Sequence, residues 1–128
     1  MDRLEKEAII TFLARKRKHK DSKLNAMYES ACRDVERIIC ALSDKYPDCR
    51  IYQWGSLLDR RRFNEASDID LAVEGVTSPK MFFDILGTAM ELTDFSIDVV
   101  ELEQLTPERK NRIIREGKLR YEPRDCNT

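Results

Sequence analysis

The segment Ser67-Asp68-Ile69-Asp70-Leu71-Ala72-Val73 constrains this chain most. On a β-strand alternate side chains share a face. Ile69, Leu71 and Val73 then form one apolar stripe, while Asp68 and Asp70 stand together on the other side, roughly 7 Å apart along the backbone. Two ionised carboxylates on one face repel each other. Such a strand is not built for stability alone. It predicts a sheet with one face in the core and the other turned toward a site. A divalent cation removes the conflict, and magnesium binds through one or two carboxylates together with substrate phosphates.

Two further features join this segment. In Phe95-Ser96-Ile97-Asp98-Val99-Val100-Glu101, Phe95, Ile97 and Val99 share one face and Asp98 lies on the other. If the two strands are neighbours, Asp98 meets Asp68 and Asp70. Three carboxylates can hold two ions about 4 Å apart, the arrangement of in-line phosphoryl chemistry. Upstream, Gly55-Ser56 ends a strand read over residues 50–54. Glycine lets the backbone approach a ligand closely, and free N–H groups with a serine hydroxyl can receive a phosphate. Arg60, Arg61 and Arg62 follow and add positive charge.

The rest of the chain reads as scaffold. Leu4, Ala8, Ile9, Phe12 and Leu13 have helical spacing. A basic run at residues 15–20 follows, with the only histidine, His19, inside it. It reads as a solvated helix end, or as a contact with an anionic partner. A second helix, capped at Asp21 or Ser22, carries one apolar face from Leu24 through Val35 and Leu42 to Tyr46, and Pro47 stops it. Ser78-Pro79 and Thr106-Pro107 each pair a cap with a proline at the first helical position. Strands are expected at 69–74, 95–101 and 119–122. With 128 residues the chain is expected to form one domain: N-terminal helices at 1–47, a core at 48–122 and a fraying tail at 123–128.

Composition excludes several classes. Lys plus Arg is 23 and Asp plus Glu is 24, which leaves no basic footprint for nucleic acid. No apolar stretch approaches the ~20 residues of a membrane span, and the N-terminus lacks the order of a signal peptide, so the chain reads as cytoplasmic. Cys32, Cys40, Cys49 and Cys126 show no C-x-x-C spacing, which argues for free thiols and against a zinc site.

Strand, Gly55-Ser56, an eleven-residue spacer from Leu57 to Ser67, Asp68-Ile69-Asp70 on a strand and Asp98 on the next: this ordered set resembles the polymerase β-type nucleotidyltransferase superfamily. The run from Ile114 to Glu122 is similar to the tail of its minimal (MNT) group. The likeness spans residues 50–122. Two departures stand out: the spacer is one residue longer than usual, and Leu57 and Leu58 precede the first arginine, Arg60. The resemblance implies an α/β (α+β) fold, a short mixed sheet flanked by helices, here with an N-terminal helical pair. It implies that Asp68, Asp70 and Asp98 bind two Mg²⁺ ions, with Asp98 also helping to deprotonate the acceptor. It implies that Gly55, Ser56, Arg60 and Arg61 contact ATP or another NTP, whose nucleoside monophosphate passes to a hydroxyl.

Three readings follow. In the first, the chain is an MNT-type antitoxin that adenylylates a tyrosine of a HEPN-type toxin. In the second, it modifies a small molecule as aminoglycoside adenylyltransferases do, although those carry a further substrate domain. In the third, it is a non-catalytic nucleotide-binding partner subunit, against which the intact aspartates argue.

Overall fold

In the computed structural model, which describes residues 2–124, the chain forms a four-stranded sheet with helices on both faces. Helix α1 spans Arg3–Lys45, 43 residues. Asp2 caps it, its side chain accepting the Glu5 N–H at 2.8 Å. The expected break at Asp21 and Ser22 does not occur, so the N-terminal pair is one continuous helix. No glycine or proline lies between Asp2 and Tyr46. Aspartate and serine can cap a helix where one begins, but inside a helix they cost only tenths of a kcal/mol. The helix ends where expected, because Pro47 disfavours helical backbone in Tyr46.

Strand β1 (Arg50–Trp54) pairs antiparallel with β2 (Ile69–Glu74), and β2 pairs parallel with β3 (Ile97–Glu101). Helix α2 (Pro79–Glu91) is the crossover between β2 and β3. Its cap is Ser78, and Thr106 caps α3 (Pro107–Glu116), each with proline in the first turn. Strand β4 (Lys118–Tyr121) returns to the free side of β1, giving the order β3-β2-β1-β4. Two strand edges shift by a residue or two from expectation. Phe95 and Ser96 lie before β3, although the Ser96 carbonyl still accepts the Ile69 N–H at 2.9 Å. The tail from residue 125 onward, including Cys126, lies outside the described residues.

The sheet divides the core in two. On one side Ile51, Ile69, Leu71, Val73 and Val99 pack with Ala31, Val35, Ile38 and Leu42 of α1 and Ile85 and Ala89 of α2. On the other, Tyr52 and Ala72 pack with Leu102 and Ile113, so α3 covers only part of that face. The uncovered end of this second face carries the aspartates. The buried Asp34 carboxylate ties α1 to the turn before β3, accepting from Arg37 and from Thr93 Oγ1 at 2.7 Å. No helix among the described residues is long and apolar enough to cross a membrane.

Candidate active site

Asp70 and Asp98 are directly opposed partners on the parallel strands β2 and β3. Asp68 lies two residues before Asp70, just ahead of β2, and is exposed like Asp98. The alternation explains the placement: Leu71 and Val99 enter the large core, which turns their neighbours to the opposite face. Asp70 alone is half-buried. Desolvation, then the charges of Asp98 and Asp68, push its carboxyl up to about 6. The charge conflict inferred from the spacing is therefore present in the folded chain and falls on Asp70.

Gly55 closes this face from the β1 side. Trp54, its neighbour, opposes Asp70 across the β1–β2 ladder. Gly55 has φ +87°, ψ −168°, a region essentially reserved for glycine. A Cβ there would lie 2.2 Å from Asp70 Oδ2. The backbone strains any other residue at this position, and a Cβ would also force the Asp70 carboxylate to move.

The loop between β1 and β2 is firmly anchored. Leu57 and Phe63 are buried in the large core, and Tyr28 of α1 packs edge-on against Phe63 at 5.4 Å. Ser56 Oγ and Ser67 Oγ are 2.9 Å apart, and Ser67 Oγ accepts the Asn64 N–H at 2.9 Å. The two sequence blocks separated by the spacer thus meet through their serines. The arginines separate. Arg60 turns to α1, donating to Asn25 Oδ1 at 2.7 Å and lying over the Tyr28 ring. Arg61 closes on Asp59, whose carboxyl its backbone N–H and then its guanidinium hold below the usual range.

A cleft of about 400 Å³ lies between this loop and α3, lined by Trp54, Gly55, Asp59, Arg62, Arg109 and Arg112 among others. Such a volume suits a small ligand. The sequence reading missed Arg109 and Arg112. Their i, i+3 spacing beside Ile113 was the available signal, but only the fold shows that this side of α3 faces Gly55. A larger concavity of about 630 Å³ lies along the outer edge, between the start of α2 and β3, and is largely apolar, with Phe82 and Phe83 in its wall.

As they stand, no three His, Cys, Asp or Glu side chains among the described residues close around a single point. The donor chemistry nevertheless fits a hard cation. Asp68, Asp70 and Asp98 offer oxygen ligands at neighbouring strand positions, and magnesium needs only one or two carboxylates when phosphates complete its shell.

Likeness to solved structures is found with the toxin–antitoxin MntA-HepT, at 22% identity over 70% of each chain with a TM-score of 0.53. It is found also with a toxin–antitoxin bound to AMP-PNP, at 20% identity over 72% of this chain and 73% of that one, with a TM-score of 0.56. At these identities the likeness establishes the fold. No protein with a curated functional description matches the chain. The sequence pattern of the family described as "Polymerase beta, Nucleotidyltransferase" matches residues 36–125, beginning inside α1 and taking in every strand and Asp68, Asp70 and Asp98. The chain belongs to the polymerase beta nucleotidyltransferase family.

Proposed function

We propose that this protein moves AMP from ATP to a hydroxyl of a protein partner, a tyrosine of a HEPN-type toxin. The observation that carries the reading is the in-register pair Asp70–Asp98, with Asp68 two residues away and Gly55 packed against Asp70. Asp68, Asp70 and Asp98 would hold two Mg²⁺ ions, which when bound neutralise charge on the transferring phosphoryl group and on the leaving oxygen. Asp98, exposed at the outer strand, accepts the proton of the incoming hydroxyl. The acceptor oxygen bonds to the α-phosphorus, the bond to the β-phosphate bridging oxygen breaks, and pyrophosphate leaves. Gly55 and the Ser56 hydroxyl line the phosphate side of the site.

That the fold is shared with toxin–antitoxin complexes, one bound to AMP-PNP, supports a protein partner and an adenine nucleotide. A docking surface is at hand. The first half of α1 exposes Leu4, Ile10, Phe12 and Leu13 and leads into the basic run at 15–20. Incubation with MgATP and the protein encoded beside it should increase the partner's intact mass by one adenylyl group, and Asp68→Ala and Asp70→Ala should each stop this. If an aminoglycoside is adenylylated while the neighbouring protein stays unmodified, the acceptor assignment is wrong.

A further inference from the structure

We infer that the outer edge of β3 takes an extended segment of the protein partner as a fifth strand, one with basic and apolar residues around its acceptor tyrosine. The inference rests on the proposed transfer to a protein hydroxyl and adds how that hydroxyl is presented. Strand β3 stands at one end of the sheet order β3-β2-β1-β4. The Ser96 carbonyl faces β2, where it accepts the Ile69 N–H. Backbone groups alternate in direction along a strand. Those of Asp98 and Val100 therefore also face β2, and those of Ile97, Val99 and Glu101 face outward. No described segment pairs with them. Such an edge recruits another strand unless it is covered, bulged or closed by proline or lysine. Strand β3 contains neither residue, and its ladder with β2 runs without a bulge.

The charge of this edge selects its occupant. Residues 91–104 include Glu91, Asp94, Asp98, Glu101 and Glu103 and no lysine or arginine. None of the five makes a salt bridge with a described residue. A second copy of β3 would set these acids against one another, and opposed like charges destabilise a strand pair. A segment carrying lysine or arginine is matched to them. The apolar concavity of about 630 Å³ runs along the same edge: Val99 and Glu101 line it together with Phe82 and Phe83 of α2, and Phe83 is 67% exposed. A residue paired opposite Asp98 points its side chain to the aspartate face, its Cβ about 5 Å from that of Asp98. Its two neighbours turn toward Phe82 and Phe83. A tyrosine flanked by apolar residues, with a lysine three positions away opposite Glu101, fits this register. The first half of α1 would hold the partner's body and the edge its acceptor segment.

The probe is a fluorescein-labelled peptide, Ser-Lys-Thr-Val-Tyr-Val-Thr-Lys-Ser, which reads the same in both directions. Titrated with the full chain in the absence of nucleotide, it should show a saturable rise in anisotropy that weakens as salt increases. Near saturation, amide exchange at Ile97, Val99 and Glu101, resolved by NMR, should slow about tenfold. The same peptide with both lysines replaced by glutamate should bind about fivefold or more weakly, as should Phe83→Ala with the original peptide. Glu101 has φ −88° and ψ 121°, which proline tolerates. Glu101→Pro removes an outward N–H as well as the charge, so it should weaken binding more than Glu101→Gln. Should Glu101→Pro fail to fold, Phe83→Ala and the amide exchange of the wild type decide. No saturable anisotropy with millimolar peptide, binding without protection of the three amides, or equal binding of the glutamate peptide would each overturn the added strand. So would protection of these amides in the protein alone as it dimerises, which would make a second copy the occupant. The two proposals fail separately. Peptide binding with the edge protected, but no adenylylation of any acceptor, retains the strand and removes the activity. Transfer to the neighbouring protein at the wild-type rate in both Glu101→Pro and Phe83→Ala does the reverse.

Discussion

Asp70 carries a cost that the fold does not relieve. Its carboxyl is half-buried opposite Asp98 and beside Asp68, and its protonation is shifted up to about 6. An acid whose folded value exceeds its unfolded value, about 3.9, contributes stability below the unfolded value. That contribution is lost as pH rises through about 6. At neutral pH without a cation the folded chain therefore bears an ionised Asp70 it would rather protonate. Asp70→Asn should accordingly melt above the wild type by a few degrees at pH 7.5 in EDTA, with the difference fading below about pH 4, while abolishing transfer. Millimolar Mg²⁺ with ATP should narrow the gap by raising only the wild-type transition. A variant that melts lower than the wild type at pH 7.5 would show that Asp70 stabilises the fold rather than straining it. This trade is legible in the sequence Asp68-Ile69-Asp70 itself. The arginines are not: Arg60, Arg61 and Arg62 are equivalent in sequence. Only the packing of Phe63 and Leu57 decides that Arg60 faces α1 and Arg62 the cleft.

Among the elements, α1 is one continuous helix with two differently buried halves. From Ala31 to Leu42 its buried face is part of the large core, with Ile38 fully enclosed. Residues 2–23 are exposed throughout. An exposed helical arm of this length is marginal in water, since most helical stability in proteins comes from packing. Amides of residues 6–20 should exchange with solvent far faster than those of residues 31–42, measured by hydrogen exchange. Ile38→Ala should cost about 2–5 kcal/mol, and Leu13→Ala less than about 0.5 kcal/mol, in denaturant unfolding. Equal costs at the two positions would mean that the arm folds back onto the body. The apolar face from Leu24 to Tyr46 was readable from its 3.6-residue period. The continuity through Asp21 and Ser22 was not, because capping residues mark a helix start only when something else breaks the helix. The strands around the site were the most readable elements, since alternation, Gly55 and the cap-proline pairs bound them on both sides.

For the whole molecule, the arm and the body are separable by charge as well as by burial. The run at 15–20 concentrates cations on a chain whose overall balance is −1. Deleting residues 2–23 should leave the melting temperature within about 2 °C and should preserve its response to MgATP. The same deletion should abolish adenylylation of the protein partner. If the shortened chain modifies the partner as fast as the full chain, the arm is not the docking surface. The sequence by itself determined where the strands lie to within a residue or two, that Asp68 and Asp70 share a face, and that Asp98 stands opposite the apolar stripe of its own strand. These follow from the two-residue period of the strand, a local rule. It did not determine that β2 and β3 are parallel and in register, so that Asp70 meets Asp98, or that Gly55 closes on Asp70. Nor did it determine that α3 lies across the second sheet face, so that Arg109 and Arg62 line one cleft. Those facts depend on how α2 crosses over and where α3 finds apolar cover from Tyr52, Ala72 and Leu102. Contacts between distant segments are decided by packing the entire core at once, and no spacing within one segment records them.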